Sequence, residues 1–586
     1  MICNRWPNRL LFLPLLICSA VQAAEPADWP RAAAVSPDAY AVLDVSNMRA
    51  VLDRLFDPRV VQAVTSHPEY QRRRGEQDVV QAMNLVKYFE QRFETDFPGL
   101  LGKLAGGGLT LAVGPGEQAM LVVEAEDGGA LKEVHDFLLL IARGEATKQG
   151  QPDRVKSADY RGITGWSFAP QQAHAIIGKR LLLANSPQAI TAAIDRILEP
   201  GKPNAAALPG YQQAMAAFSQ SAAATVFARM DVLKTLPQVQ AALDQEGNPL
   251  LALLLAPLMH TFRQSEWLAM GLGVDGTTFT LNVAGDSGSS DPAASDAFAR
   301  PAQPDGGALP NVNVPRQIAG VSLYRDLHKF YAAKDDLFPQ RTSGLIFFEN
   351  MMGIFFTGRD LTEEVLAELT PEVRLVLAGQ EYAPEVGTPE PQLPGFALVF
   401  RMRNPEKFSP IAEEAWQKAL GLINFTRGQQ AEPGLILDRP THAGVKYTMA
   451  YFSPPAEGDR TPADMRFNFQ PALAMPGDYV ILSSTDALAK DLIEALQDEV
   501  KAGAAPVGGK HSIVELSGKS LAALLGANRE SLITNNMVEK GHGRLEAEGE
   551  IGMLLAIADS IAHLKIAAGD DGPQKLSIEL KLDLAP

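Results

Sequence analysis

Cysteine is almost missing: the 586 residues hold two, Cys3 and Cys18, both near the start. The segment that carries them reads as an export signal. Arg5 and Arg9 supply a positive n-region, Leu10 to Ala20 an apolar h-region, and Val21-Gln22-Ala23 the small residues of a cleavage site. Cleavage after Ala23 leaves a chain without cysteine, which excludes disulfides, a thiolate nucleophile and Cys-bound metal. The apolar run is shorter than the roughly 20 residues a spanning helix needs, and Pro14 interrupts it. Lipid attachment at Cys18 is the less favoured alternative, because the bulky Ile17 stands where such a signal carries Gly, Ala or Ser. The expected product begins near Ala24 and is exported, either periplasmic or secreted.

Catalytic and cofactor signatures are also missing. No two of the nine histidines stand at metal-ligand spacing on one helix face, and there is no H-E-x-x-H. Gly518-Lys519-Ser520 resembles the end of a phosphate loop, but Ile513 occupies the first glycine position. Gly508-Gly509-Lys510 fails likewise, with Ala504 in that position and His511 where a magnesium-binding hydroxyl belongs. Gly106-Gly107-Gly108 precedes a strand instead of joining strand to helix, so it is no dinucleotide fingerprint. No G-x-S-x-G elbow occurs. The acid pairs Glu363-Glu364 and Glu413-Glu414 are adjacent, and neighbouring helical positions point about 100° apart. No catalytic, cofactor-binding or metal residue is therefore assigned, and no cofactor is expected. Positive charge is in short supply too: the formal net charge is -17, a surface that repels nucleic acid and anionic headgroups. Beyond the signal, no run is long enough to span a membrane. The best, Leu250 to Met259, is short and broken by Pro257, and reads as a buried core helix.

What is present is a repeated order of elements. Residues 285–315 are rich in Gly, Ser, Pro and Asp and read as a disordered linker between two similar units, 24–284 and 316–586. In the first unit Leu109–Val113 and Ala119–Ala125 form a strand pair followed by a helix from Gly129 to Ile141. In the second, Val373–Ala378 and Phe396–Met402 form the pair, and the helix runs from Asn404 to Leu420 with Asn404 as N-cap and Pro405 in its first turn. The next block also repeats. Two strands, a Gly turn (Gly178-Lys179 or Gly477-Asp478) and a strand lead into helices opened by Ser186-Pro187 and by Ser484-Thr485. Each unit closes in a late hairpin, Trp267–Val283 and His563–Leu584. Short strands joined this way imply antiparallel sheet. The predicted class is α+β: two similar units, each an antiparallel sheet with helices covering one face.

Ser36-Pro37-Asp38-Ala39-Tyr40-Ala41-Val42-Leu43-Asp44-Val45, the strand start Tyr160-Arg161-Gly162 and the run Leu183-Ala184-Asn185-Ser186-Pro187 resemble an uncharacterised family of exported bacterial proteins with duplicated units. The resemblance implies a fold type and export, and transfers no functional residue. One asymmetry separates the units. Val79–Phe93 is amphipathic, whereas its counterpart Leu345–Phe356 is apolar nearly throughout, with Phe347, Phe348, Met351, Met352, Phe355 and Phe356. Such a helix needs cover on all sides. It is expected either in the core or lining an apolar binding surface. The reading that follows is an exported non-enzymatic interaction or structural module with an unknown protein partner. The alternative is a periplasmic carrier of an apolar ligand, and a hydrolase with a dispersed site comes third. Oligomeric state is not legible.

Overall fold

The computed structural model describes residues 29–586 apart from 59–60, 62–64, 66–69, 71–73, 170, 200, 219–221, 238, 241–248, 287–296, 302, 304, 339–341, 455–462, 571–574 and 585–586. The segment read as an export signal, with Cys18, lies outside the described residues. Two compact units emerge. One ends at Leu236 but also takes in Glu266–Val274; the other comprises Pro237–Ser265 and everything from Asp275 onward. The boundary expected at 285–315 is thus displaced, and the chain passes into the second unit and back before leaving the first.

The linker expectation also needs correction. Part of the stretch is packed: Phe298, Ala299, Ala308, Leu309 and Val312 are buried. Phe298 meets Phe330 edge-on at 4.8 Å, and Ala308 exchanges backbone hydrogen bonds with Lys510 and Val507. Composition misleads here because a few apolar residues, spaced among Pro and Gly, suffice to dock a segment on a sheet that already exists.

The first unit is built on β1 (Ala41–Val45), β2 (Gly108–Gly114), β3 (Gln118–Glu124), β4 (Lys156–Tyr160), β5 (Ile163–Ala169), β6 (Gln172–Ile177), β7 (Arg180–Ala184), β8 (Ala224–Arg229) and β9 (Trp267–Asp275). Its sheet is antiparallel in the order β9-β8-β1-β2-β3-β7-β6-β5-β4. The second contains β10 (Thr278–Asp286), β11 (Gln317–Tyr324), β12 (Leu369–Ala378), β13 (Gly395–Met402), β14 (Ile436–Asp438), a small ribbon of β15 (Thr441–His442) and β16 (Val445–Lys446), β17 (Thr448–Tyr451), β18 (Ala472–Ala474), β19 (Tyr479–Ser483), β20 (Lys510–Leu516), β21 (Ile561–Asp570) and β22 (Lys575–Leu584). Its order is β10-β22-β21-β20-β11-β12-β13-β19-β18-β17-β14, again antiparallel. The expected α+β class holds.

Local chemistry sets the elements as the sequence suggests. Gly178 and Gly477 take positive φ, +59° and +65°, at the β6–β7 and β18–β19 turns. Ser186 Oγ accepts from Ala189 N, Thr485 Oγ1 from Leu488 N and Asn404 Oδ1 from Lys407 N. Each satisfies an otherwise orphaned helical N–H, a contribution of about 1 kcal/mol.

Helices lie on both faces of each sheet, a correction to the one-face expectation. In the first unit the Pro187–Leu198 helix and Trp29 pack on Val122, Ala175 and Leu182. In the second the Asp486–Ala502 helix covers Val376, Ala397, Val399 and Ile481. The opposite faces are covered only in part, as described below.

Charge is buried on the covered side. Arg31 Nη2 donates to both Asp44 carboxylate oxygens at 3.1 Å, its Nη1 to Glu124 Oε2 at 3.2 Å and to Gly107 O at 2.8 Å. Burial pulls the Glu124 carboxyl up, but hydrogen bonds from Lys179 and Arg180 outweigh it and hold the group below its usual range. In the second unit Arg374 donates twice to Glu499, which also accepts from Tyr479.

Arg325 is different, because it has 0 % exposure and no carboxylate among its hydrogen-bond partners in the described residues. Its Nε donates to Leu253 O at 2.6 Å, Nη2 to Leu254 O and Ser512 Oγ, and Nη1 to Tyr324 O and His511 O. The reason lies four residues beyond Leu253. Pro257 stands inside the Pro249–Gln264 helix and brings no N–H to that carbonyl, so the guanidinium takes the vacant acceptor. Burial lowers the Arg325 pKa to about 10. Leu255 of the same helix is 40 % exposed, so this segment is not buried all round as its apolar run suggested.

Candidate functional site

Side chains alternate across a strand, so register decides which residues share a face. In the first unit one row crosses the sheet as Met270, Val226, Leu43, Leu111, Leu121 and Leu183. The row beside it reads Leu272, Ala224, Val45, Leu109, Val123 and Leu181. Neither row contains a polar side chain.

The second unit repeats the pattern on a larger scale. Its central row is Leu281, Leu580, Ile566, Val514, Val321, Leu375, Leu398 and Leu482. The rows on either side are Phe279, Leu582, Leu564, Leu516, Ala319, Leu377, Phe396 and Val283, Ile578, Ala568, Ser512, Leu323, Val373, Phe400, Val480. Ser512 is the one polar side chain in the three rows, and it is held by Arg325.

These floors are incompletely covered. Leu111 is 37 % exposed although β2 is an inner strand, and Leu398 and Phe396 on the inner strand β13 are 36 % and 43 % exposed. Leu43, Leu121 and Leu183, and every residue of the second unit's central row other than Leu398, are half-buried. The chain leaves this much hydrocarbon in contact with water in the middle of a sheet. Behind the strands the opposite face at β22 carries Glu579, Lys581 and Asp583, so that strand has one charged and one apolar side.

Each floor is closed at one end. In the first unit the Met48–Leu55 and Phe97–Ala105 helices sit over Val45 and Leu109, and the Gly128–Lys148 helix packs near β5 through Leu139, Trp166 and Phe168. The row that ends in Leu183 continues to His174 on β6, opposite Trp166 on β5. His174 Nε2 lies 3.2 Å from His135 Nε2, and both rings are buried. His135 Nδ1 is 3.3 Å from Asp136 Oδ1; Trp166 and Phe168 stack on His174. Burial lowers both histidine pKa values, that of His174 to about 3, with His135 adding to the effect there and Asp136 opposing it at His135. In the second unit the Pro405–Gln429 helix closes the end, where Phe408 and Trp416 meet Phe400, Val480 and Leu482.

The segment singled out in the sequence is the Thr342–Phe355 helix with Phe356. Phe356 joins the cluster at the closed end, beside Phe400 and Leu482. Met351, Met352 and Phe355 are half-buried, while Phe347 and Phe348 are 71 % and 38 % exposed. The helix is therefore not covered on all sides. The floor itself was missed by sequence reading, although Ile578, Leu580 and Leu582 alternating with Glu579, Lys581 and Asp583 signal a strand with one wet and one apolar face.

A rival cavity of about 180 Å³ lies at the start of the Asp486–Ala502 helix, lined by Arg316, Gln380, Tyr382, Thr485 and Asp491 among others. Arg316 there is engaged by Glu381 and Asp491, and the space is below the roughly 300 Å³ of ordinary ligand pockets. Among the described residues no group of three or more His, Cys, Asp or Glu is arranged to hold a metal, and no helix is long and apolar enough to cross a membrane.

Fold and site together define an antiparallel α+β protein with partly uncovered apolar sheet faces. Residues 118–302, less than half of the chain, match the family model described as "Protein of unknown function (DUF3352)". The resemblance to an uncharacterised family is borne out over that stretch. No curated protein matches. Among solved structures, crystal form I of TP0453 aligns with 11% identity over 45% of this chain and 81% of that chain, at a TM-score of 0.24. Crystal form III gives 9%, 45%, 82% and 0.24. Likeness at this level does not inform the site.

Proposed function

We propose that the protein is an exported, non-enzymatic binding module whose two units are copies of one another, each sheltering an apolar ligand on its floor. The observation that carries this reading is the partly exposed, uncharged row on inner strands, Leu43-Leu111-Leu121-Leu183 in the first unit and Val321-Leu375-Leu398 in the second, most open at Leu111 and Leu398. At about 25 cal/mol per Å² of apolar surface removed from water, covering such a face is a ready source of binding free energy. A polypeptide partner is a poorer fit. The inner strands already spend their backbone N–H and C=O groups on neighbours, so an added peptide would find no hydrogen bonds there.

Native mass spectrometry of protein purified from its own compartment tests the reading. An apolar adduct, lost on organic extraction, is the expected result. A bare chain that also leaves a solvatochromic dye dark would refute it.

A further inference from the structure

Resting on that reading, we infer that the ligand is a flexible, unbranched acyl chain laid across the strands rather than a rigid polycycle or a peptide. Three features of the floor select it. The first is length: from Met270 to Leu183 the row crosses six strands, and at ~4.8 Å per strand it runs ~24 Å. That suits a long acyl chain and exceeds a fused-ring sterol nucleus.

The second is shape. Adjacent strands in a sheet rotate by ~20°, so the row turns through roughly 100° from end to end. A polymethylene chain follows such a path by gauche bonds, whereas a rigid ring system touches only part of it. The third is chemistry. From Met270 to Leu183 and from Leu272 to Leu181 the rows of the first unit offer no hydrogen-bonding side chain, His174 beyond Leu183 being buried against His135, and the three rows of the second offer Ser512 alone, which is already engaged by Arg325. Methylene groups need no partner, whereas the amides of an extended peptide would find none on such a surface. With no charge on either floor, the polar end of the ligand must extend past the rows into water. The net charge of -17 further favours an uncharged headgroup over an anionic one.

The experiment uses the full chain and a series of 1-monoacylglycerols from decanoyl to stearoyl, kept below their aggregation limits and measured by displacement of a solvatochromic dye. Affinity is expected to rise roughly twofold per added methylene, half the full-burial increment because one side of the chain stays wet. A sterol should bind at least tenfold more weakly than the stearoyl ester. Leu111→Thr and Leu398→Thr together should cut affinity about fivefold. Both sites are already partly exposed and Thr is at home in strands, while Leu111→Met with Leu398→Met should retain binding and so separates loss of the floor from loss of fold. Affinity independent of chain length, a sterol that binds as well as the stearoyl ester, or unchanged binding in the threonine double variant would overturn the inference. If dye or sterol binds but no monoacylglycerol does, the acyl assignment fails and the apolar-ligand reading survives; if nothing binds, both fail.

Discussion

Leu182 and Leu183 are neighbours on β7, yet Leu182 is 0 % exposed beneath the Pro187–Leu198 helix while Leu183 is half-buried on the floor. The same contrast separates Val376 from Leu375 on β12. One face of each sheet therefore supplies stability and carries the buried charge networks. The other is left short of cover over much of its width. Helix cover separates the two faces around Leu182 and Val376, and charge separates them at β22, where the side opposite the floor carries Glu579, Lys581 and Asp583.

Substitutions can sharpen this contrast. The largest effect is expected from Arg325→Met, which strands the Leu253 carbonyl, denied its helical donor by Pro257, and removes the guanidinium's bonds to the Leu254, Tyr324 and His511 carbonyls. Chemical denaturation should show a loss of at least about 3 kcal/mol; a loss below about 1 kcal/mol would mean water replaces the guanidinium. Next, Leu182→Ala should cost about 2–5 kcal/mol and Leu111→Ala under about 1 kcal/mol. Equal costs would show that the floor is covered in solution.

The histidine pair gives a smaller, pH-dependent effect. His135 and His174 both ionise less readily in the folded protein than the free ring, whose usual value is 6.5. The unfolded chain takes up protons first, so stability present above about pH 6.5 falls as pH drops toward about 3. Two protonated rings would also both be donors and could not keep their shared hydrogen bond. His135→Phe with His174→Phe should flatten part of this dependence, read as melting temperature against pH. His511, pushed down to about 3 by burial and the neighbouring Arg325, should preserve the remainder. An unaltered profile in the double variant would place the acid sensitivity elsewhere. The smallest effect is reserved for Phe347→Asp, expected within about 0.5 kcal/mol of the parent because that ring is 71 % exposed.

Much of the framework was legible because it depends on short-range chemistry. Ser186, Thr485 and Asn404 cap the helices they precede, and Gly178 and Gly477 make the turns their positions suggest. The floor was not legible, for a physical reason. Leu111 sits in a strand whose other positions, Thr110 and Ala112, are also small or apolar, so pattern alone does not say which side is wet. The partners of Val514 come from Val321 and Ile566, far away in sequence, and only register brings them into one row. Phe347 misled in the opposite sense, because an apolar helix implies a cover that the described residues do not provide.

β10 has a consequence for how the second unit is made. It pairs with β22, the last strand among the described residues, and Thr278 Oγ1 donates to Asp583 Oδ1 across 305 residues at 2.6 Å. During synthesis the Phe279-Leu281-Val283 stripe must wait for almost the whole second unit to arrive before it gains that neighbour. Closure over such a separation is slow and leaves a sticky edge in the interval. A chain that stops short of β22 would thus be exposed to aggregation through a strand made long before the defect.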